Sequence, residues 1–173
     1  MGPLDRIVIA VGSALQRAAC AGTSALESQS KQRDARLARI YFSREKAIVG
    51  TTGGTAVSAE IKVDGRNVGS VSNGSCFFID RSPGLYRLSV GNALSIAFEA
   101  ELRVEGGQND YLGIGSPETG AAGRDFADVA LAGGSGTDEE PIPLSNALSG
   151  AAFFRLDPST GAATIAELKD PER

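Results

Sequence analysis

The sequence predicts an all-β domain, an antiparallel β-sandwich, preceded by an N-terminal helical or signal segment. Three observations carry this prediction. Glycine is frequent, 22 of 173 residues, which points to many turns and short elements. From Leu37 onward, β-branched and aromatic residues come in short runs separated by Gly, Asn, Asp and Pro. Within several runs polar and apolar residues alternate with period two, the pattern of a strand with one packed and one wet face.

The elements follow in order. "LARIYFSR" (37–44) alternates well enough to form a first strand. "AVSAEIKV" (56–63) leads into Asp64-Gly65, whose tolerance of positive φ favours a type I′ hairpin, and "RNVGSV" (66–71) returns. Ser72-Asn73-Gly74 turns the chain again, "SCFFIDR" (75–81) reads as a buried strand, and Pro83-Gly84 fits positions i+1 and i+2 of a type II turn. "LYRLSVG" (85–91) sets Leu85, Arg87 and Ser89 against Tyr86, Leu88 and Val90. "ALSIAFEAELRVE" (93–105) places Leu94, Ile96, Phe98, Ala100, Leu102 and Val104 opposite Ser95, Ala97, Glu99, Glu101 and Arg103. Gly106-Gly107 then turns into "QNDYLGIG" (108–115), where Asp110, Leu112 and Ile114 are too few to fix a register. The closely spaced turns predict a meander supplying one face of the sandwich.

Residues 116–150 are rich in Gly, Ala and acid and read as a long loop with one short strand or helix at "DFADVAL". "AAFFRLD" (151–157) closes the domain as a strand and "ATIAELKD" (163–170) as a last strand or short helix. The organisation is therefore a 1–21 signal, lipoprotein-like or helical segment, a polar linker at 22–36, and a sandwich at 37–169 with a loop-rich insertion at about 116–150.

Composition removes whole classes of function. A net charge of -4 and scattered Lys and Arg give no basic footprint for nucleic acid. With no histidine, Ser-His triads, His acid/base chemistry and His-bound metal have no central residue. Two cysteines are too few for a disulfide framework or a thiolate metal site, and they are expected to have separate fates. Cys76, inside the run Cys76-Phe77-Phe78-Ile79, is expected to be a free thiol acting as a small buried hydrophobe.

Cys20 follows a different logic. "IVIAVGSAL" (7–15) is a short apolar run after Arg6 and before "QRAACAG", and resembles a secretory signal. It is too short to span a bilayer, which needs about 20 apolar residues. Ala18-Ala19-Cys20 resembles the end of a bacterial lipobox, in which the Cys becomes the lipidated first residue, although Arg17 stands where an aliphatic residue is usual. Cleavage after Ala21, or no export with 7–28 forming an amphipathic helix, are the alternatives. Export is favoured, and any membrane association would run through a lipid on Cys20.

Other constellations are weaker. Asp138, Glu139 and Glu140 are adjacent acids without the spaced ligands and central Gly of a Ca²⁺ loop, and read as a solvated loop. Gly53-Gly54 and Gly113-Ile114-Gly115 lack the spacing of phosphate-binding loops and read as turn glycines. Glu99 and Glu101 share a strand face about 7 Å apart. A wet face gives neither acid a reason to shift its pKa. Tyr41, Phe42, Phe77, Phe78, Tyr86 and Tyr111 could include an exposed stacking platform for sugar, though most are needed for a core without Trp.

"ARIYFSREKAIVG" (38–50) followed by "IKVDGRNVGSVSNGSCFFIDRSPGLYRLSV" (61–90) resembles the bacterial family catalogued as domain of unknown function 2846, whose members are largely small envelope proteins and lipoproteins. The shared pattern is an aliphatic-aromatic strand followed by Arg, then V-D-G-x-x-V-G, an aromatic strand and a Pro-Gly turn. It covers about residues 37–115, with support from "FFRLD" near the C-terminus. The resemblance implies a transthyretin-like or carbohydrate-binding-like β-sandwich in the envelope and carries over no catalytic residues. Arg44 matches the Arg after the first strand, and is expected to be a strand-end ion-pairing or hydrogen-bonding residue rather than a ligand contact.

The expectation is a non-enzymatic module of the bacterial cell envelope (periplasm or outer membrane), without cofactor, that binds or scaffolds an envelope protein or glycan. The rivals are a small hydrolase or glycan-processing enzyme using surface carboxylates, and a cytoplasmic structural protein whose N-terminal helix packs on a partner.

Overall fold

The computed structural model describes residues 24–46, 58–92, 96–115 and 151–169. In chain order the elements are β1 (Ser24–Ala25), β2 (Ala38–Arg44), β3 (Ala59–Val63), β4 (Arg66–Val71), β5 (Ser75–Arg81), β6 (Gly84–Gly91), β7 (Phe98–Val104), β8 (Asn109–Gly115), β9 (Ala152–Leu156) and helix α1 (Pro158–Lys169). They build two sheets, ordered β1-β4-β3-β6-β7 and β5-β2-β8-β9. The fold is an all-β sandwich, as the alternation predicts.

Alternation decides the packing. Ala59, Ile61 and Val63 of β3, Leu88 and Val90 of β6, and Phe98, Ala100, Leu102 and Val104 of β7 are buried, while the residues between them on β7 are exposed. They face Ile40, Phe42, Phe77, Ile79, Leu112, Ile114 and Phe153 from the other sheet in one continuous core. Phe153 joins the layers, with its ring centroid 6.1 Å from Phe42 in its own sheet and 6.2 Å from Phe98 across the core. Ile96 departs from the expected apolar face: β7 begins at Phe98, and Ile96 is exposed.

The two sheets are not alike. The five-stranded sheet is dry on one face and wet on the other, where Arg87 stands opposite Glu101 and Ser89 opposite Glu99. In the four-stranded sheet, Ser75–Ile79 of β5 and Asp110–Ile114 of β8 are buried at every position. That sheet is covered on both sides.

The turns divide the same way. Asp64 and Gly65 both have positive φ, 49° and 77°, as a type I′ hairpin between β3 and β4 requires. Ser72–Ser75 makes no hairpin. Its Ser75 N–H donates to the Ser72 carbonyl and the Ser75 hydroxyl does the same, and the chain crosses from one sheet to the other. Pro83-Gly84 also leads between sheets, and Gly84, whose φ is outside the left-handed region, opens β6 instead of completing a type II turn. The expected meander is thus replaced by two in-sheet hairpins and sheet-crossing corners. A β5 that must be buried on both faces has no place beside β4 in the half-wet sheet. The pairing is not wholly antiparallel either: β8 lies parallel to β2, Tyr41 opposite Tyr111.

The C-terminal segment resolves into a helix. Asp157 caps it, its Oδ1 accepting from the Ser159 and Thr160 backbone N–H groups and from the Ser159 hydroxyl, and Pro158 takes the first turn, where no N–H is missed. The helix lies on the four-stranded sheet through Gly161. A Cβ there would sit 2.3 Å from Tyr111 Cγ.

Two predictions follow from this helix. Gly161→Ala should lower stability by about 1–3 kcal/mol in denaturant titrations, because overpacking against a ring held by the sheet outweighs any gain in helix propensity. The bonds from Ser159, and then Thr160, hold the Asp157 carboxyl well below the usual carboxylate range. A lowered folded-state pKa adds stability above the unfolded value of about 3.9, and that stability is lost as pH falls through the folded value. The Tm gap between wild type and Asp157→Ala should therefore be constant near neutrality and close progressively below about pH 4.

Candidate functional site

Residues 24–36, expected as a polar linker, are bonded to the sandwich along their length. β1 adds to the edge of β4, with Ser24 opposite Ser70 and Ala25 opposite Gly69, and the Leu26 N–H donates to the Val68 carbonyl. Gly69 permits this approach: a Cβ there would lie 2.9 Å from both the Ser24 carbonyl oxygen and the Phe77 ring. The arm then passes to β5, an edge strand of the second sheet. Gln29 Nε2 donates to the Phe78 carbonyl at 2.7 Å, and the Phe78 N–H donates to Gln29 Oε1 at 3.0 Å. A side-chain amide thus satisfies the strand edge as a neighbouring strand would.

An ion pair at one end and hydrogen bonds from an arginine at the other fix the crossing. Arg81 donates to both carboxylate oxygens of Glu27 at 2.8 and 2.6 Å. Arg33 donates to the Gln108 and Gly107 carbonyls, each at 3.0 Å, and to Asn109 Oδ1 at 2.6 Å, at the start of β8.

Between those ends the cross-strand register collects the functional side chains. Pairing of β2 with β5 sets Arg39 opposite Asp80 and Tyr41 opposite Phe78, while β8 brings Tyr111 beside Tyr41. Arg39 donates through Nε and Nη2 to the two oxygens of Asp80 at 2.7 and 2.8 Å, and through Nη2 to the Ser30 carbonyl at 3.0 Å. Its guanidinium carbon lies 3.8 Å from the Phe78 ring centroid. The Arg39 side chain is only 7% exposed, so this pair is shielded from solvent far better than a surface bridge.

The rings form a platform. Tyr41 and Tyr111 stack with centroids 5.0 Å apart and planes 7° from parallel, and Phe78 meets Tyr41 edge-on at 5.6 Å. Tyr111 packs with Cys76, Leu156 and Ile165 beneath α1, whereas Tyr41 is half-buried, with Lys169 Nζ 5.6 Å from its ring centroid. Burial first, and then the positive charges of Lys31 and Arg39, push the Lys169 ammonium down from its ordinary value. A partly exposed aromatic ring with a cation over it can take part in recognition by stacking and charge.

The other expected residues are dispersed. Phe42 and Phe77 belong to the core, and Tyr86 lies on the other sheet with its hydroxyl donating to the Ser82 carbonyl. Of the six aromatic residues only Tyr41, Phe78 and Tyr111 come together on the outer face. Glu99 and Glu101 are exposed on the wet face of β7. Gly113, Ile114 and Gly115 lie within β8, not in a loop. Arg44 closes β2 opposite Ser75, half-buried, and burial lowers its pKa. Among the described residues no group of three or more His, Cys, Asp and Glu is placed to hold a metal ion. Cys20, Gly53, Gly54, Asp138, Glu139 and Glu140 lie outside the described residues.

Cys76 is buried, as expected, but it is not a free thiol. Its sulfur is disulfide-bonded. An apolar run reports burial and is silent about the oxidation state of the sulfur within it.

Sequence reasoning missed Gln29, Arg33, Arg39, Asp80 and Lys169. The available signal was the charge carried inside strands that are otherwise apolar, Arg39 in "ARIYFSR" and Asp80 in "SCFFIDR".

A family model described as "protein of unknown function (DUF2846)" matches residues 34–122, just over half of the chain. The chain belongs to that family. No curated protein matches it. The matched region includes the Arg39, Tyr41, Phe78, Asp80 and Tyr111 constellation, and excludes both α1 and the arm up to Arg33.

Removing one member of the shielded ion pair should be costly. Asp80→Ala leaves Arg39 without its carboxylate at a site closed by Phe78 and the arm, and should destabilise the chain by about 3 kcal/mol in chemical denaturation, the low end for buried pairs because Asp80 itself is partly exposed. Glu101→Ala on the wet face should change stability by less than about 0.5 kcal/mol in the same assay.

Proposed function

We propose that this member of the DUF2846 family is a non-enzymatic binding or scaffolding module of the bacterial cell envelope, exported from the cytoplasm. The observation that carries the reading is the disulfide at Cys76. Disulfides persist in oxidising compartments and are rare where thiol reductants circulate. The apolar run at 7–15 adds a segment of the length and polarity of a secretory signal.

The binding role rests on the outer face of the four-stranded sheet. Tyr41, half-buried, stacked on Tyr111 and with Lys169 over its ring, offers a partner the part of its ring that stays exposed, in a cationic setting. A glycan could stack on the ring, and an envelope protein with acidic side chains would meet the cations. The mechanism is surface complementarity. Hydrolysis by Glu99 and Glu101 finds less support, because both stand on an open sheet face opposite Ser89 and Arg87.

Export is tested by fusing the full chain through its C-terminus to alkaline phosphatase, which becomes active only after it is translocated and oxidised. The reading predicts high phosphatase activity in a bacterial host, lost when residues 7–15 are deleted. An inactive phosphatase fusion together with an active cytoplasmic β-galactosidase fusion at the same site would overturn export and favour the cytoplasmic structural role.

A further inference from the structure

The arm closes one edge of each sheet. β1 pairs with β4, while on β5 Gln29 bonds both backbone groups of Phe78 and Arg81, held by Glu27, donates to the Asp80 carbonyl. The opposite edge of the five-stranded sheet is β7, and no described strand lies beyond it. β7 is seven residues long, keeps one register with β6 from Phe98 to Val104 and contains neither proline nor bulge. Short length, proline and bulges are devices that keep an edge strand from pairing with another chain.

The neighbouring strand fixes the direction of the β7 backbone groups. The Arg87 N–H donates to Asp64 Oδ1 at 2.9 Å, and the Arg87 carbonyl accepts from the Asp64 N–H at 2.8 Å, so both point toward β3. Arg87 therefore meets Glu101 as a non-hydrogen-bonded pair, and the Glu101 N–H and C=O point away from β6 to the open edge. Glu99 and Arg103, two positions to either side, share that direction. The residues with wet side chains on β7 are thus also those that turn their backbone groups outward.

The charges of this row complement their own reverse. Turned antiparallel onto itself about a two-fold axis at Glu101, β7 overlaps along its whole length, and Glu99 falls opposite Arg103 at two places. Phe98 and Ala100 then meet Val104 and Leu102 on the inner face. Glu101 falls opposite its own copy, with Arg87 beside it on β6 and Arg103 of the second copy on the diagonal. Moving the axis to Ala100 would oppose Glu99 to Glu101 twice, and moving it to Leu102 would oppose Glu99 to Glu105. We propose that the chain forms a two-fold dimer through β7, joining two five-stranded sheets into one continuous sheet. Glu99, Glu101 and Arg103 each exchange two backbone hydrogen bonds with their opposite residue in the second copy. The outer face of the four-stranded sheet takes no part, so the dimer is independent of the proposed envelope role.

Sedimentation velocity of the full chain across a concentration series should show monomer giving way to dimer, reversibly on dilution. Hydrogen exchange should find the amides of Glu99, Glu101 and Arg103 slow in the dimer and fast in the dilute monomer, with the β6 amides protected in both. Arg103→Glu sets like charges opposite each other at two places and should weaken association by about tenfold or more. Adding Glu99→Arg to that variant restores opposite charges and should recover the dimer. Both variants change exposed side chains, so their circular dichroism should match that of the wild type. A chain that stays monomeric at its highest soluble concentration would overturn the proposal. So would a dimer in which those three amides exchange freely, one indifferent to Arg103→Glu or not recovered by the charge exchange, or one that survives denaturant until reductant is added.

Discussion

The constraint on which the structure turns is that one of its two sheets must be dry on both faces. β5 and β8 present no solvent-facing row between Ser75 and Ile79 or between Asp110 and Ile114. The inner row is covered by the five-stranded sheet. The outer row needs separate cover, and two segments outside the strands supply it: the arm of residues 27–36 along β5 and toward β8, and α1 over Tyr111 and Cys76. Apolar burial alone would not hold a polar arm in place, so its attachment is made by hydrogen bonds and ion pairs whose geometry must be correct. Gln29 replaces a missing strand neighbour, and Arg39 ties Asp80, the Phe78 ring and the Ser30 carbonyl into one cluster.

This division between the sheets also separates the surfaces available for function. The outer face of the five-stranded sheet is a solvated array of alternating charge, with Lys62 3.8 Å from Glu60 and Arg87 opposite Glu101, arrangements that contribute little to stability. The outer face of the four-stranded sheet combines stacked rings with shielded charge. Tyr41 is the ring that its cover leaves half open. A partner bound there would contact the sheet, the arm and the last turn of α1 together, so the order of the arm and the integrity of the site are linked.

Much of the fold was legible because alternation and turn chemistry are local. The runs 38–44, 59–63, 66–71 and 75–81 become strands close to where they were expected, and Asp64-Gly65 makes its hairpin because both residues must take positive φ. What failed was everything decided between elements. Ser72-Asn73-Gly74 reads identically whether it closes a hairpin or turns a corner to another sheet, and only the double-sided burial of β5 distinguishes them. The parallel β2 and β8 pair joins residues some 70 positions apart, beyond any local signal. At the site, Tyr41, Phe78 and Tyr111 could be nominated as aromatic residues but not grouped. Arg39 and Asp80 went unnoticed because each looks like an ordinary polar residue at a strand position until the register places them opposite each other.

The polar arm is part of the folded domain rather than a tether. Native-state hydrogen exchange on the full chain measures this at single amides, since the Leu26 N–H is bonded to the Val68 carbonyl and the Phe78 N–H to the Gln29 side chain. Both amides should be strongly protected, and Leu26 should lose its protection in Gln29→Ala before the core strands do. Exchange of Leu26 at the rate of an unstructured peptide, with the core strands fully protected, would contradict it.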